Sequence, residues 1–271
     1  MSDESPLLLL APRITEDTKS MWKAALDLGW SVQRIPNWRV PEGIAANHRQ
    51  ISIYGEPLFA EAVADQLNLV LLEPSIDWLT TVPREYLHRD IQMMTLADAR
   101  QCSDRAFVKP ADGKIFDPKV YETGSDLPDQ TLVDQDIPVL RSGPVDFRLE
   151  VRSFVHERKV IASSPYWRNN ALAQDESGNW PYLSTEQDDA ESFARTVLAD
   201  SRISLPPACT LDIGHLSDGR WAIIEANPCW GAGLYGCDPG MILEILPAAV
   251  IRRTSLLPAH MPWVSARRTK P

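Results

Sequence analysis

The chain has 271 residues, 44% of them hydrophobic and 24% charged, and 27 Lys and Arg against 37 Asp and Glu give a net charge of -10. These values exclude a fibrous or disordered chain, and the acidic balance argues against a dedicated nucleic-acid surface, because duplex binding depends on Lys and Arg that neutralise phosphates. The longest apolar runs are far shorter than the ~20 residues of a membrane span, and the acidic N-terminus is unlike an export signal, so a cytoplasmic protein is expected.

The first hundred residues alternate between strand and helix patterns. Leu7–Ala11 is a continuous apolar run of the kind that forms a buried parallel strand, and Thr15 begins a helical pattern that ends at Gly29. Further elements are predicted as strands at Ser31–Ile35, Ile51–Tyr54 and Leu69–Leu72 and a helix at Pro57–Gln66. This order predicts a small open α/β domain over residues 1–100 that ends in a connector with a helix near Arg89–Arg100.

From about Arg105 the pattern changes to strands joined by Pro, Gly and Asp turns. We predict strands at Ala106–Lys109, Leu132–Gln135, Asp146–Val155, Lys159–Ser163, Cys209–Leu216 and Arg220–Ala226, a linker at Leu140–Pro144, and helices at Glu186–Asp200 and Met241–Arg253. Turns at 156–158 and 217–219 predict two hairpins. A second domain is expected over 101–255, with lobes at about 101–140 and 141–255, and a loose tail over 256–271.

The strand at Asp146–Val155 carries charges on one face only, because side chains alternate between the two faces of a strand. The charged face holds Asp146, Arg148, Glu150 and Arg152, and the other face holds Phe147, Leu149 and Val151. One interpretation is a half-exposed strand with solvated charges. The other is a charged floor whose arginines bind a phosphate or a carboxylate with two parallel hydrogen bonds.

The last predicted hairpin gathers oxygen donors. Asp212 lies on one strand, and Glu225 and Asn227 share a face of the next strand. If the strands pair across the turn, these oxygens point into one space, and two carboxylates with an amide oxygen suit Mg²⁺. The alternative is that the carboxylates bind turn amides or arginines.

Two other patterns are weaker. Gly231–Gly236 satisfies GxGxxG, but no βαβ unit surrounds it, so we exclude NAD binding and expect a tight turn or a close approach to a ligand. Since no CxxC pair occurs, reduced and mostly buried thiols are expected. The alternative is a zinc site made of Cys209, His215, Cys229 and Cys237.

Two lysines, Lys109 and Lys114, flank a five-residue turn, and Arg89 precedes them in the connector. A lysine at a strand end is usually a solvated edge residue. Two lysines around one turn can instead hold the oxygens of a polyphosphate.

These motifs, taken in order, resemble the ATP-grasp superfamily. The order is DWLTTVPREYLHRD, FVKPADGK, VDQDI, LEVRSFV, LDIG and IIEANPCWGAGLYG. The likeness is greatest to a small bacterial and phage-associated clade with one arginine and two lysines around the nucleotide, and it covers about residues 7–250. It implies an ATP-grasp fold of the α/β (α+β) class with a small N-terminal α/β domain.

The resemblance also implies roles for individual residues. For ATP it implies Lys109, Lys114 and Arg89 at the phosphates and backbone groups of Asp136 and Ile137 at adenine. For Mg²⁺ it implies Asp212, Glu225 and Asn227. For catalysis it implies Lys109 and Arg152, the latter facing the γ-phosphate and the acyl phosphate, and for the acceptor Tyr166 and Arg168.

The implied reaction is an ATP- and Mg²⁺-dependent ligation of a carboxylate to an amine, on an amino acid or a peptide, through an acyl phosphate. One alternative is a kinase that transfers the γ-phosphate to a hydroxyl of a small molecule. Another is a nucleotide-binding module without turnover. The expected partners are small-molecule or peptide substrates, with neither nucleic acid nor membrane, and the oligomeric state, including a homodimer, is left open.

Overall fold

Residues 5–44, 48 and 50–265, which the computed structural model describes, form a mixed α/β fold of several sheets. The N-terminal sheet is parallel and consists of β1 (Leu7–Leu10), β2 (Ser31–Arg34) and β3 (Ile51–Tyr54) in the order β2-β1-β3. Helices α1 (Glu16–Asp27) and α2 (Pro57–Gln66) pack against it. The four leucines of the central strand are buried, as the continuous apolar run predicts.

Thr15 caps α1, and this prediction is confirmed. Its hydroxyl accepts a hydrogen bond from the backbone N–H of Thr18 at 3.1 Å, and the Thr18 hydroxyl accepts one from the N–H of Thr15 at 2.9 Å. The chain leaves the helix through Gly29, whose φ of +76° lies in the region that glycine adopts without strain. Both ends of α1 are therefore determined locally.

The connector differs from its prediction. Strand β4 (Leu69–Leu71) does not join the N-terminal sheet, and the short helices α3 (Trp78–Thr81) and α4 (Arg84–Leu87) follow it. Next come strand β5 (Ile91–Thr95) and helix α5 (Leu96–Arg100). The helix predicted near Arg89–Arg100 is therefore wrong over the segment that forms β5. Five residues of mixed polarity are too few for a periodicity to distinguish a strand from a helix.

The second sheet is antiparallel, with strands in the order β5-β8-β6-β7. Its remaining strands are β6 (Ala106–Pro110), β7 (Lys119–Tyr121) and β8 (Pro138–Ser142). The predicted strand at Leu132–Gln135 and linker at Leu140–Pro144 are wrong, because the strand lies between them. Pro138 takes its first position, where a proline is tolerated, and Val139 is fully buried.

The third sheet is antiparallel, with strands in the order β11-β10-β9-β12-β13. Its strands are β9 (Phe147–His156), β10 (Lys159–Arg168), β11 (Ala171–Leu172), β12 (Ala208–Leu216) and β13 (Trp221–Asn227). Both predicted hairpins, β9–β10 and β12–β13, are confirmed. Helix α6 (Glu186–Ala199) covers one face, where Leu149, Val151 and Val155 of β9 join its core. The opposite face of β9, with Glu150 and Arg152, points into the cleft toward the second sheet.

The C-terminal elements return to the N-terminal layer. Helix α7 (Pro239–Ala249) packs on α1, and strand β14 (Val250–Arg252) pairs antiparallel with β4. The predicted helix at Met241–Arg253 is wrong after Ala249, because β-branched Val250 and Ile251 continue as a strand. Within the described ranges no helix has the length and apolar composition that a membrane crossing requires.

All four cysteines are free thiols, and three of them, Cys209, Cys229 and Cys237, are buried. Buried reduced thiols were expected from the missing CxxC pairs. Over residues 5–44, 48 and 50–265, no group of three or more His, Cys, Asp and Glu side chains is arranged to hold a metal ion. The alternative zinc site is therefore not formed.

Candidate functional site

The cleft between the second and third sheets holds two adjoining cavities. The first, here called the turn cavity, measures about 290 Å³ and lies beside the turn that follows β6 and beside residues 73–76. The second, the sheet cavity, measures about 440 Å³ and lies between the two sheets. Both are lined by Leu79, Lys109, Pro118, Leu140 and Glu225. The two spaces therefore form one continuous site that can hold an extended ligand.

Four polar side chains form a row across the floor of this cleft. Strand register places Ser164 of β10 opposite Arg152 of β9, Arg152 opposite Asp212 of β12, and Asp212 opposite Glu225 of β13. Residues directly opposite each other in neighbouring strands project from the same face of a sheet. Residues that are far apart in the chain thus meet because their strands pair in this register.

Arg152 and Asp212 form a buried ion pair with two parallel hydrogen bonds. Arg152 Nε donates to Asp212 Oδ1 at 2.9 Å, and Nη2 donates to Oδ2 at 2.6 Å. The Asp212 side chain is fully buried and that of Arg152 is 9% exposed. Burial alone lowers the pKa of Arg152, but the charge of Asp212 outweighs it, so the pKa is raised and the guanidinium keeps its proton.

Lys109 crosses the cleft from β6 to β13. Its ammonium group donates to Glu225 Oε2, and Asn227 Nδ2 donates to Glu225 Oε1 at 2.8 Å. Burial alone raises the pKa of Glu225, but Lys109 and Asn227 together lower it from 4.5 to about 2. The Glu225 carboxylate is therefore ionised at neutral pH, and it holds a cation from the opposite sheet.

Asp212, Glu225 and Asn227 fit a Mg²⁺ site in their chemistry. They offer carboxylate and amide oxygens, the hard ligands that Mg²⁺ prefers, and paired strands place the Cα atoms of Asp212 and Glu225 roughly 5 Å apart. The two carboxylates here bind Arg152 and Lys109, so positive charge is already favoured at this position. These three residues could hold a divalent cation, with part of its coordination left for waters or phosphates.

Arg89 enters the site from the segment between α4 and β5. Its Nη1 donates to the backbone oxygens of Leu87 and Ile223, each at 3.0 Å, and its guanidinium carbon lies 5.7 Å from the ring centroid of Phe147. Burial lowers its pKa to about 10, so it remains charged at neutral pH. Arg89 therefore presents a fixed positive charge in the sheet cavity.

Lys114 and Tyr166 also reach the cleft. Lys114 lines the turn cavity with Gly113, whose φ of +69° shapes the turn after β6. Tyr166 lines the sheet cavity and donates its hydroxyl to Glu150 Oε2 at 2.5 Å. Lys109 and Lys114 thus contribute charge to adjacent parts of the site from the two ends of one turn.

Three residues of the sequence hypothesis lie away from both cavities. The N–H of Asp136 donates to Asp134 Oδ1 at 3.0 Å, and the backbone oxygen of Ile137 accepts from the N–H of Leu96 at 2.9 Å. Arg168 donates to Glu186 Oε2 at 2.6 Å at the start of α6. None of the three lines the turn cavity or the sheet cavity.

Two further residues belong to the site although sequence reasoning assigned them no role. Glu150 lines the sheet cavity on the same strand face as Arg152, and the alternation along β9 could have identified it. Tyr235, in the glycine-rich segment after β13, lies with its ring centroid 5.0 Å from the Arg152 guanidinium carbon. No spacing in the sequence indicates this contact, since it depends on how the segment folds back over the sheet.

The chain has relatives in sequence models and in solved structures. Residues 86–245 match a family model described as an ATP-grasp domain, family 2 of the clade with one arginine and two lysines. No curated protein matches the chain in sequence.

Similar solved structures include three enzymes of low sequence identity. The ATP-grasp ligase PsnB complexed with minimal precursor has a TM-score of 0.52 at 16% identity, over 91% of this chain and 100% of that chain. The D-cycloserine synthetase DcsG has a TM-score of 0.56 at 13% identity, over 89% and 98%. The D-alanine–D-alanine ligase of Bacillus anthracis has a TM-score of 0.53 at 11% identity, over 90% and 97%. These likenesses establish a shared fold.

Proposed function

Because the chain belongs to family 2 of the ATP-grasp clade with one arginine and two lysines, we propose that it is an ATP- and Mg²⁺-dependent ligase. It joins a carboxylate to an amine through an acyl phosphate. The observation that carries this proposal is the junction of the two cavities. There Lys109 from one sheet meets Glu225 from the other, beside the Arg152–Asp212 pair.

The sheet cavity suits the base and sugar of ATP. Apolar side chains from both sheets line it, namely Ile91, Phe107, Val120, Leu140 and Phe147. Such flat apolar space accommodates an aromatic base, and carboxylates at its border, Asp146 and Glu150, can accept hydrogen bonds from sugar hydroxyls. Arg89 adds a fixed positive charge for a phosphate.

The phosphates belong at the junction, because Lys109 and Glu225 line both cavities. Mg²⁺ bound by Asp212, Glu225 and Asn227 would supply positive charge to the β- and γ-phosphates there. Lys109 would then exchange its contact with Glu225 for a phosphate oxygen. The γ-phosphate would point toward the turn cavity, where Lys114 lies.

The residues suit a reaction that needs alignment and charge neutralisation. A substrate carboxylate attacks the γ-phosphate and ADP leaves; an amine then attacks the acyl carbon of the acyl phosphate and displaces inorganic phosphate. Lys109 and Arg152 would neutralise the charge that develops on the transferred phosphoryl group and on the tetrahedral intermediate. No side-chain nucleophile is required, and the turn cavity provides space beyond the phosphates for the substrates.

The decisive test measures products. The purified protein is incubated with ATP, Mg²⁺, a panel of amino acids and short peptides as carboxylates, and hydroxylamine as a small amine. Peptides are included because PsnB was solved with a minimal precursor. We expect ADP, phosphate and a hydroxamate in equal amounts, only with a carboxylate present. A stable phosphorylated product without free phosphate would instead identify a kinase, and ATP binding without ADP release would identify a module without turnover.

The matching variant is Glu225→Gln, which keeps the shape of the side chain and removes a charged metal ligand. We expect turnover to fall by at least about a hundredfold, with an unchanged circular dichroism spectrum. Glu176→Gln, at an exposed acid that lines neither cavity, is the control. Equal turnover of the two variants would contradict the metal assignment.

A further inference from the structure

The segment Gly231–Gly236 follows the metal-binding strand β13, and the proposed function gives it no role. Its backbone nevertheless reaches the site, because Arg152 Nη1 donates to the oxygen of Gly233 at 3.2 Å. Tyr235 has a φ of +46°, a left-handed conformation that non-glycine residues adopt only when the surroundings enforce it. Such enforced backbone at a site calls for a functional explanation.

The ring of Tyr235 belongs to an aromatic pair beside Arg152. Its centroid lies 5.0 Å from the guanidinium carbon, and that of Tyr166 lies 5.6 Å from it. The two rings stack on each other, with centroids 4.9 Å apart and planes at 21°. Burial raises the pKa of both tyrosines, so the rings remain neutral. Neutral aromatic rings at these distances attract a guanidinium.

Other groups hold Tyr235 in this position. The Ser164 hydroxyl donates to the backbone oxygen of Tyr235, and Trp180 packs its ring edgewise on Tyr235 with a centroid distance of 5.3 Å. Trp180 also fills the space beside Gly236, where an added Cβ would lie 2.5 Å from its ring. The conformation of Tyr235 is thus determined by contacts on two sides.

The need for such support follows from the double use of Asp212. Both of its oxygens bind Arg152 in this structure, yet the proposed function requires the same carboxylate to bind Mg²⁺. An arginine that shares its carboxylate with a metal ion loses part of its in-plane support. The contacts that do not involve Asp212 are the Gly233 oxygen and the two tyrosine rings.

We propose that Tyr235, supported by Trp180 and stacked on Tyr166, is a positioning residue that keeps Arg152 directed at the γ-phosphate while Asp212 binds Mg²⁺. This inference rests on the proposed function, since it assumes ATP at the cleft. It assigns the glycine-rich segment a role other than phosphate binding: the glycines let the chain turn back so that one tyrosine ring covers Arg152.

The test compares Tyr235→Phe with Tyr235→Leu. Calorimetry with Mg²⁺ present gives the dissociation constants of a non-hydrolysable ATP analogue and of ADP, which differ in the γ-phosphate. We expect the wild type and Tyr235→Phe to prefer the analogue by the same factor. In Tyr235→Leu this preference should fall about tenfold with unchanged ADP affinity, since the ring is lost. Trp180→Leu should shift the preference in the same direction.

The outcomes separate the inference from its premise. A Tyr235→Leu variant that keeps the wild-type preference for the analogue would refute the positioning role and leave the ATP site standing. A wild type that binds neither nucleotide would refute the proposed function itself. If Tyr235→Leu does not fold, as judged by its thermal melting, Trp180→Leu decides by the same criterion.

Discussion

The Lys109 ammonium group is held by Glu225 in the structure, and ATP would have to take it over. Replacing Lys109 with Ala should weaken binding of both ADP and an ATP analogue by about tenfold to a hundredfold, because a hydrogen bond to a charged group contributes roughly 1.5–3 kcal/mol. Calorimetry with Mg²⁺ measures both affinities. Lys19→Ala, on the exposed face of α1, is the control.

Lys114→Ala should behave differently from Lys109→Ala. Lys114 lines the turn cavity but not the sheet cavity, so its loss should weaken the ATP analogue and spare ADP. Unchanged affinities in the Lys109→Ala variant would mean that the phosphates bind elsewhere. Equal losses for ADP and the analogue in the Lys114→Ala variant would contradict the proposed direction of the γ-phosphate.

The sequence could predict the residues that lie on regular strands. Arg152, Asp212 and Glu225 follow from alternation and hairpin pairing, and the structure brings them into one row. The adenine contacts proposed at Asp136 and Ile137 stay a prediction and have no support from the cavities. They depended on a strand placed at residues 132–135, and the chain instead forms that strand at Pro138–Ser142.

At the scale of elements, β12 and β9 depend on a glycine between them. A Cβ at Gly214 would lie 2.3 Å from Phe147 Cδ1, and the Phe147 ring lies beside the Arg89 guanidinium in the sheet cavity. We expect Gly214→Ala to lower the free energy of unfolding by about 1–3 kcal/mol through overpacking, and to weaken ATP binding by displacing Phe147.

Urea denaturation and calorimetry check both effects. Gly143→Ala is the matched control, because a Cβ at Gly143 meets no atom within 4 Å and should change stability by less than about 0.5 kcal/mol. Equal stability of the two variants would show that Phe147 adapts without cost. Equal ATP affinity would show that its ring does not shape the nucleotide site.

Long elements were predictable and short ones were not. The hairpins of the third sheet have strands of seven to ten residues and a clear period of two, so their pairing followed from the pattern. Strand β5 has five residues and β14 has three, and both were assigned to helices. In such short segments the tertiary partner, β8 or β4, determines the conformation.

At the scale of the whole molecule, the segment after β13 joins the site to the N-terminal layer. The Tyr54 hydroxyl donates to the oxygen of Ala232 at 2.7 Å, Trp230 Nε1 donates to the oxygen of Leu72 at 3.0 Å, and the N–H of Gly55 donates to the oxygen of Trp230 at 3.0 Å. The N-terminal layer therefore contacts the segment that carries Tyr235. Family membership was predictable because these regions keep their motifs in order along the chain.

Ligand binding across the cleft should stabilise the whole fold. Lys109 and Glu225 belong to different sheets, so a nucleotide that binds both holds the sheets together. At one hundred times its dissociation constant, ATP with Mg²⁺ should raise the free energy of unfolding by about 2.7 kcal/mol. Thermal melting followed by fluorescence measures this shift. ATP with EDTA should give a smaller shift, and equal shifts with and without Mg²⁺ would contradict a metal-dependent site.

The pairing of β4 with β14 has a consequence for synthesis on the ribosome. Residues 69–71 receive their antiparallel partner only when residues 250–252 have emerged, and α1 receives its packing partner α7 just before. The layer translated first therefore waits for nearly the entire polypeptide, unlike domains that fold as soon as they leave the exit tunnel. A nascent chain arrested before residue 239 would expose the apolar side of α1 and leave β4 unpaired, which makes it a natural client for chaperones.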